Sequence, residues 1–302
     1  MLAVPRQRMQ AMKLPWAFML CALMATPTLS QEPTQPRMQW LMGSQPLDPQ
    51  GRPIASPGQA LVEFMKKAWP EVHHEILYAN GKRSMQLLME GEPACHVALV
   101  RTLERERQLL FTTTVLMPPP SVIVRRDSLA RLPRDTQGAV DLPALLRHPT
   151  FKGALVSGRS YGKAIDPHLQ RAAAAAPNTM SYFSPNDFGG KVLLMLQRKR
   201  VDFTIEYEWI LGMMNETGQS TKQLLALPIQ GAMALSPSGI ACPRTAWGRA
   251  AMRGIDKALS TPAGAAMLRE SFMPSLSPAL QARYGPALDA FYKRRALGRP
   301  DD

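Results

Sequence analysis

The chain has 302 residues, 45% of them hydrophobic, with 36 Lys and Arg against 23 Asp and Glu for a formal net charge of +13. That length supports one or two sizeable cores. The basic residues are scattered and carry no RNP, zinc-finger or basic-helix pattern, so a nucleic-acid module is set aside in favour of an anionic ligand or a basic surface.

Residues 1–30 hold Arg6, Arg8 and Lys13 with no acidic residue, then an apolar run from Leu14 to Ala25 and small residues at Thr28 and Ser30. This reads as a secretory signal peptide cut after Ser30. Its apolar run of about 12 residues is short for a membrane span. Met19 and Leu20 precede Cys21 where a lipoprotein signal needs small residues, so no lipid anchor is expected. The expected location is the periplasm. Cleavage removes three positive charges, taking +13 to +10, and leaves two cysteines, Cys95 and Cys242. An oxidising compartment favours their pairing.

A strand starts at Gln39 to Met42. Gly58 to Trp69 places Leu61, Phe64, Met65, Ala68 and Trp69 on one helical face. Val72 to Tyr78 is a strand in which His73 and His74 point to opposite faces and cannot jointly hold a metal. Asn80–Gly81 opens a helix that ends at Gly91, with Arg83 near its start. Ala94 to Val100 is the next strand. This β-α-β-α-β order indicates a mostly parallel sheet flanked by helices. After Thr102 comes a charged turn, TLERER, which sets Arg105 one turn into a helix. Its unpaired amides and a guanidinium together suit an anion. The competing reading of ERER is a solvated, self-paired helix face.

An apolar stretch around Phe111, the turn Pro118 to Pro120 and a strand from Ser121 to Arg125 follow. Ser128 to His148 reads as an irregular connector. Alternation then resumes with a strand over 154–157, a helix over 161–176, a strand over 179–183, a helix over 187–198 and a strand over 201–205. Ile240 to Cys242 returns as a strand, and helices are expected over 244–259, 261–272 and 278–294. Gly158-Arg159-Ser160-Tyr161-Gly162 fits the G-x-S-x-G nucleophile elbow between a strand and a helix. The only later histidine, His168, lies eight residues on in the same expected helix, about 12 Å of rise away. The turn therefore reads as a tight strand-to-helix junction or an anion cradle of amides, with Ser160 as a contact and not a nucleophile. No CxxC or HExxH occurs, and no catalytic residue, metal or cofactor is expected.

TLERERQLLF resembles the T-P-E-R … F-S-x-P stretch of family 3 of the bacterial extracellular solute-binding proteins, the polar amino acid type. Thr102, Glu104, Arg105 and Phe111 match, while Leu103 replaces the proline and Thr112 the serine. VIVRR, FKGALVSGRSYG, RKRVDF and SGIACPRTAWGRAAMRGIDKAL resemble that family's first crossing strand, second-domain opening, G-R-V-D-A element and return strand with its helix. The resemblance covers nearly the whole mature chain. It implies an α/β fold, a two-lobed periplasmic-binding-protein type II clamshell. Lobe one would take 37–122 plus 240–295, lobe two 123–239, and 296–302 would be a flexible tail. Hinge segments would lie near Val122–Arg125 and Ser238–Ile240, and Cys95 and Cys242 would meet in a disulfide.

The resemblance also implies that Arg105 holds a ligand carboxylate, with Thr102, Ser160, Tyr161, Arg83, Glu206 and Tyr207 around it. The family aspartate that takes a ligand ammonium falls here on Tyr207, flanked by Glu206 and Glu208. Either glutamate substitutes, or the ligand lacks an ammonium. The aromatic pair expected to stack the ligand is missing, its region holding Trp40, Gln45 and Pro46. The implied function is capture of a small polar or anionic solute, carboxylate-bearing and amino-acid-like, by a monomer that serves an ABC permease. The alternatives are a sensory or non-transport binding protein of the same fold and, third, a dehydratase-like enzyme.

Overall fold

The computed structural model describes residues 36–175, 180–187 and 189–299. The expected signal peptide, residues 1–30, lies outside the described residues.

In chain order the elements are β1 (Arg37–Met42), α1 (Pro57–Ala68), β2 (His73–Tyr78), α2 (Gly81–Glu90), β3 (Ala94–Val100), α3 (Leu103–Gln108), β4 (Leu109–Met117) and β5 (Ser121–Arg125). Then come α4 (Leu142–Arg147), β6 (Gly153–Val156), α5 (Asp166–Ala175), β7 (Met180–Phe183), α6 (Gly190–Gln197), β8 (Phe203–Glu206), α7 (Trp209–Glu216) and β9 (Leu224–Leu227). The chain closes with β10 (Ser236–Pro243), α8 (Ala246–Leu259), α9 (Pro262–Phe272) and α10 (Pro278–Ala296). Polar caps start most of these helices as the sequence dictates. Ser56, Asn80, Thr102, Asp141, Thr245, Thr261 and Ser277 each accept a hydrogen bond from an amide two or three residues into the helix.

Two five-stranded sheets share one plan. The first runs β2-β1-β3-β10-β4 and the second β7-β6-β8-β5-β9. In each, three strands are parallel and the fourth runs antiparallel beside them. Helices cover both faces, which is why the strands read as continuous apolar runs. The first sheet packs Met38, Trp40, Cys95, Val97 and Ile240 against α1 and the C-terminal helices, and Leu41, Ala94 and Ala241 against α2. Val122, Val124, Phe203 and Ile205 line one core of the second sheet, and Ile123 and Ala154 the other. These are the two lobes of the expected clamshell.

A disulfide joins Cys95 on β3 to Cys242 on β10, with Cα atoms 4.4 Å apart across adjacent strands. The chain passes between lobes at Pro118–Pro120 and again at residues 228–235. Residues 122–125 and 238–240, read as hinges from the sequence, are instead laddered strand, paired on both sides over 122–124 and 238–239. Three consecutive prolines cannot donate to a ladder, so the sheet breaks there and not at the strand that follows.

One further expectation is corrected. Ser128 to His148 is no open connector: Leu132, Val140, Leu142, Leu145 and Leu146 are buried in lobe two, and Asp141 caps α4 with Pro143 in its first turn. Of the tail assigned to 296–302, residues 296–299 are described: the Arg299 amide donates to the Arg294 carbonyl, beside a fully buried Arg295 that bonds Thr112 and Asp256.

Candidate functional site

A cleft of about 1370 Å³ is lined by α2, α3 and their flanks from lobe one, by residues 158–166, α5 and β7 from lobe two, and by the crossing segments. Lobe one contributes Arg105. Thr102 ends the run after β3, and its hydroxyl accepts the Arg105 amide at 3.2 Å, so α3 begins there. That leaves Thr102 as a cap. The Arg105 side chain turns back along the end of β3. It donates to the Val100 carbonyl at 2.9 Å and reaches across to the Gly158 carbonyl of lobe two at 3.2 Å. Among the described residues it forms no ion pair. Burial lowers its pKa, and the charges of Asp166, Glu104 and Tyr207 oppose that. Arg107 is exposed. Below Arg105, burial and the Arg105 charge depress the His96 imidazole to a pKa of about 4, and the Ala98 amide donates to its Nδ1.

Lobe two contributes the turn after β6. Tyr182 and Gly162 sit on this side of the cleft, and Gly162 has φ +95°, a left-handed conformation that glycine adopts without strain. The turn closes on Asp166. Ser160 Oγ donates to Asp166 Oδ2 at 2.6 Å and the Tyr161 amide donates to Oδ1 at 2.7 Å, while the Gly162 amide donates to Ser160 Oγ. The expected helix over 161–176 therefore starts only at Asp166. Two amides of the expected anion cradle are already satisfied internally. Ser160 has a carboxylate as its partner and no imidazole, and His168 lies by Arg171 at 3.0 Å, so no hydrolase triad forms.

Behind this turn Arg159 forms a close ion pair with Glu206. Glu206 ends β8 and is 2% exposed; its other oxygen accepts the Tyr207 amide at 3.0 Å. Burial pushes the Glu206 carboxyl up against the opposing pull of Arg159. Burial also lowers Arg159, but Glu206 with Tyr161 and Tyr207 more than offsets it, so Arg159 stays charged. Gly189 packs on the same carboxylate: its φ is +103°, and a Cβ there would lie 2.4 Å from Glu206 Oε2.

The remaining candidates separate cleanly. Tyr207 is half-buried, stacked on Trp209, with both Arg105 and Arg159 close enough to act on its hydroxyl. Glu208 starts α7 without capping it. Tyr161 is a core residue whose hydroxyl accepts the Val156 amide. Arg83 points to solvent and meets Glu90 at 4.0 Å, away from the cleft lining. Trp40 is fully buried and donates to His74 Nδ1, so it is core and not a ligand shelf. Sequence reasoning missed Asp166, Arg159 and Asn186. Asn186 links the lobes: its carbonyl accepts both the Ser44 amide, at 2.7 Å, and the Ser44 hydroxyl. Asp166 opens a helix in an Asp-Pro pair, a start signal that was available. The 47-residue separation of Arg159 and Glu206 left no local trace.

No protein-family model matches this chain, and no curated protein does. Solved structures do match. An ancestral arginine-binding protein bound to arginine superposes with a TM-score of 0.60 at 16% identity, over 80% of this chain and 97% of that one. A histidine kinase sensor domain with similarity to periplasmic binding proteins gives 0.60 at 14% identity, over 81% and 96%. A putative L-cystine ABC transporter protein from Listeria monocytogenes gives 0.58 at 15%, over 80% and 96%. The chain has the two-lobed fold of these proteins.

Proposed function

We propose that the chain is an extracytoplasmic solute-binding protein that holds a small anionic, carboxylate-bearing solute between its lobes and delivers it to an ABC permease. It works as a periplasmic monomer without cofactor or catalytic step, exported by the signal peptide read in residues 1–30. Arg105 carries this reading. Its guanidinium is desolvated at the cleft and rests on neutral carbonyls from both lobes, Val100 and Gly158. A bidentate carboxylate is the partner whose geometry matches its fork. Because one of those carbonyls belongs to each lobe, a solute at Arg105 senses their separation. Closure then follows from tighter binding to the closed arrangement. Tyr207 and the Ser160 turn complete the surroundings.

Arg105→Ala is expected to weaken solute binding by about 2–5 kcal/mol, roughly 30- to several-thousand-fold, while Arg107→Ala changes it less than about twofold. Isothermal calorimetry on both variants decides the matter, and equal small losses would return the ERER run to a solvated helix face. A second reading, solute sensing, is supported by the likeness to a histidine kinase sensor domain at the same TM-score as the arginine-binding protein. Solute uptake in cells lacking the gene separates them: uptake lost means transport, uptake intact with a lost transcriptional response means sensing.

A further inference from the structure

Resting on the reading of the cleft as a solute site, we infer that the solute is an organic acid with an apolar body and no ammonium group beside its carboxylate.

An ammonium would need a carboxylate with a free oxygen. Asp166 spends one oxygen on the Ser160 hydroxyl and the other on the Tyr161 amide. Glu206 is engaged by Arg159 on one oxygen and by the Tyr207 amide on the other, and Gly189 is packed so closely that not even a Cβ would fit there. Glu106 is held by Arg101 at 2.5 Å. Glu104, the last carboxylate among the described residues of the cleft lining, is exposed to water, where an ion pair gains little. A buried ammonium without an ionic partner is costly, so the cleft disfavours it. Arg159 already supplies, as part of the protein, the cation that Glu206 would otherwise leave to a ligand.

The available charge has the opposite sign. Arg105 is bonded to two neutral carbonyls and, among the described residues, to no carboxylate. An incoming carboxylate gives that guanidinium its ionic partner without needing any counter-cation of its own.

Beside polar residues such as Gln108, Lys163, Gln170 and Arg294, the lining has a substantial apolar part. Met85, Met89 and Leu103 from lobe one and Leu169, Ala173 and Tyr182 from lobe two share the cleft. Met89, Leu103 and Tyr182 are 46%, 79% and 49% exposed, and flexible methionines adapt to varied apolar shapes. A charged or hydrogen-bonding tail would find few partners on these residues, whereas an aliphatic or aromatic tail removes their surface from water.

The test uses matched pairs on the full mature chain: 4-methylpentanoate and 4-methyl-2-oxopentanoate against L-leucine, and 3-phenylpropanoate against L-phenylalanine. Calorimetry and thermal shift are run on the native protein and on Arg105→Ala. Each acid is expected to bind at least about tenfold tighter than its amino acid, with the preference and the binding both lost in Arg105→Ala. An amino acid that binds as tightly as its desamino partner, in an Arg105-dependent way, overturns this inference and leaves the solute-binding reading standing. No binding by any member of either pair, together with none by polar amino acids, overturns both.

Discussion

Each face of the cleft carries a desolvated arginine, and the two are built on opposite plans. Arg105 of lobe one rests on carbonyls of Val100 and Gly158, which are neutral. Arg159 of lobe two is locked to the carboxylate of Glu206. Residue type and burial are alike, so neither separates a binding arginine from a structural one. The charge of the partner does. An arginine matched to a carboxylate inside the protein has its electrostatic demand met, and removing either partner strands a buried charge. An arginine on carbonyls keeps its demand for an anion open.

The supports behind the two faces differ as well. The strand leading to Arg105 is stapled by the disulfide to β10, whereas residues 121–235 contain no cysteine and rely on the Glu206 pair. Reduction therefore tests the lobe-one face most severely. The closed loop spans 147 residues, and in the chain-entropy model its loss costs about 5 kcal/mol. Urea unfolding with and without dithiothreitol is expected to show a drop of that order. A drop of less than about 1 kcal/mol would mean that the lobe-one face does not depend on its staple.

Glu206→Gln is the matching test for lobe two. It leaves the Arg159 charge buried without its ionic partner and is expected to destabilise the protein by about 3–5 kcal/mol in the same assay, where Arg105→Ala loses less than about 1 kcal/mol. Equal losses from the two substitutions would erase the distinction between the arginines. A smaller effect sits beneath Arg105. His96 has a folded pKa of about 4 against an ordinary value of 6.5, depressed by burial and by the neighbouring guanidinium. The unfolded chain takes up this proton as pH falls below 6.5, and the native state resists it until about 4. Stability from this group is thus fully present above pH 6.5 and declines between 6.5 and 4, by about 3 kcal/mol. Denaturation curves across that window should show the decline, and His96→Gln should flatten it. An unchanged slope in the variant would place the pH dependence elsewhere.

Much of this was legible in the sequence, and the illegible part has a common cause. The alternation of apolar runs with capped helices placed both sheets; Thr102 followed by LERER set Arg105 at a helix start, a local signal, but only the family resemblance pointed it to the cleft. Cys95 and Cys242 were the only cysteines left after the signal peptide. Arg83 shows the limit of local pattern. NGKRS stands at a strand-to-helix junction just as TLERER does, yet the Arg83 side chain follows α2 outward to Glu90. The helix expected from Tyr161 was read too early because nothing local says that the Asp166 carboxylate bonds back to Ser160 and Tyr161. Pairing of Arg159 with Glu206 depends on β6 and β8 lying side by side, a fact of topology. The buried leucines of 132–146 were masked by the prolines and charges between them.

The disulfide also has a meaning for the chain as a covalent object. Every strand and helix of the second lobe lies between Cys95 and Cys242, so that whole lobe is a loop threaded through one sulfur bridge. A protease that cuts the peptide bond anywhere from residue 96 to residue 241 makes two fragments that cannot part. Both ends of the cut remain attached to neighbouring strands of the first sheet. Such a nicked chain should migrate as one species without reductant and as two with it. In a compartment rich in proteases, the lobe that offers the longest stretch of crossing loops is thus the one whose scission the molecule survives in one piece.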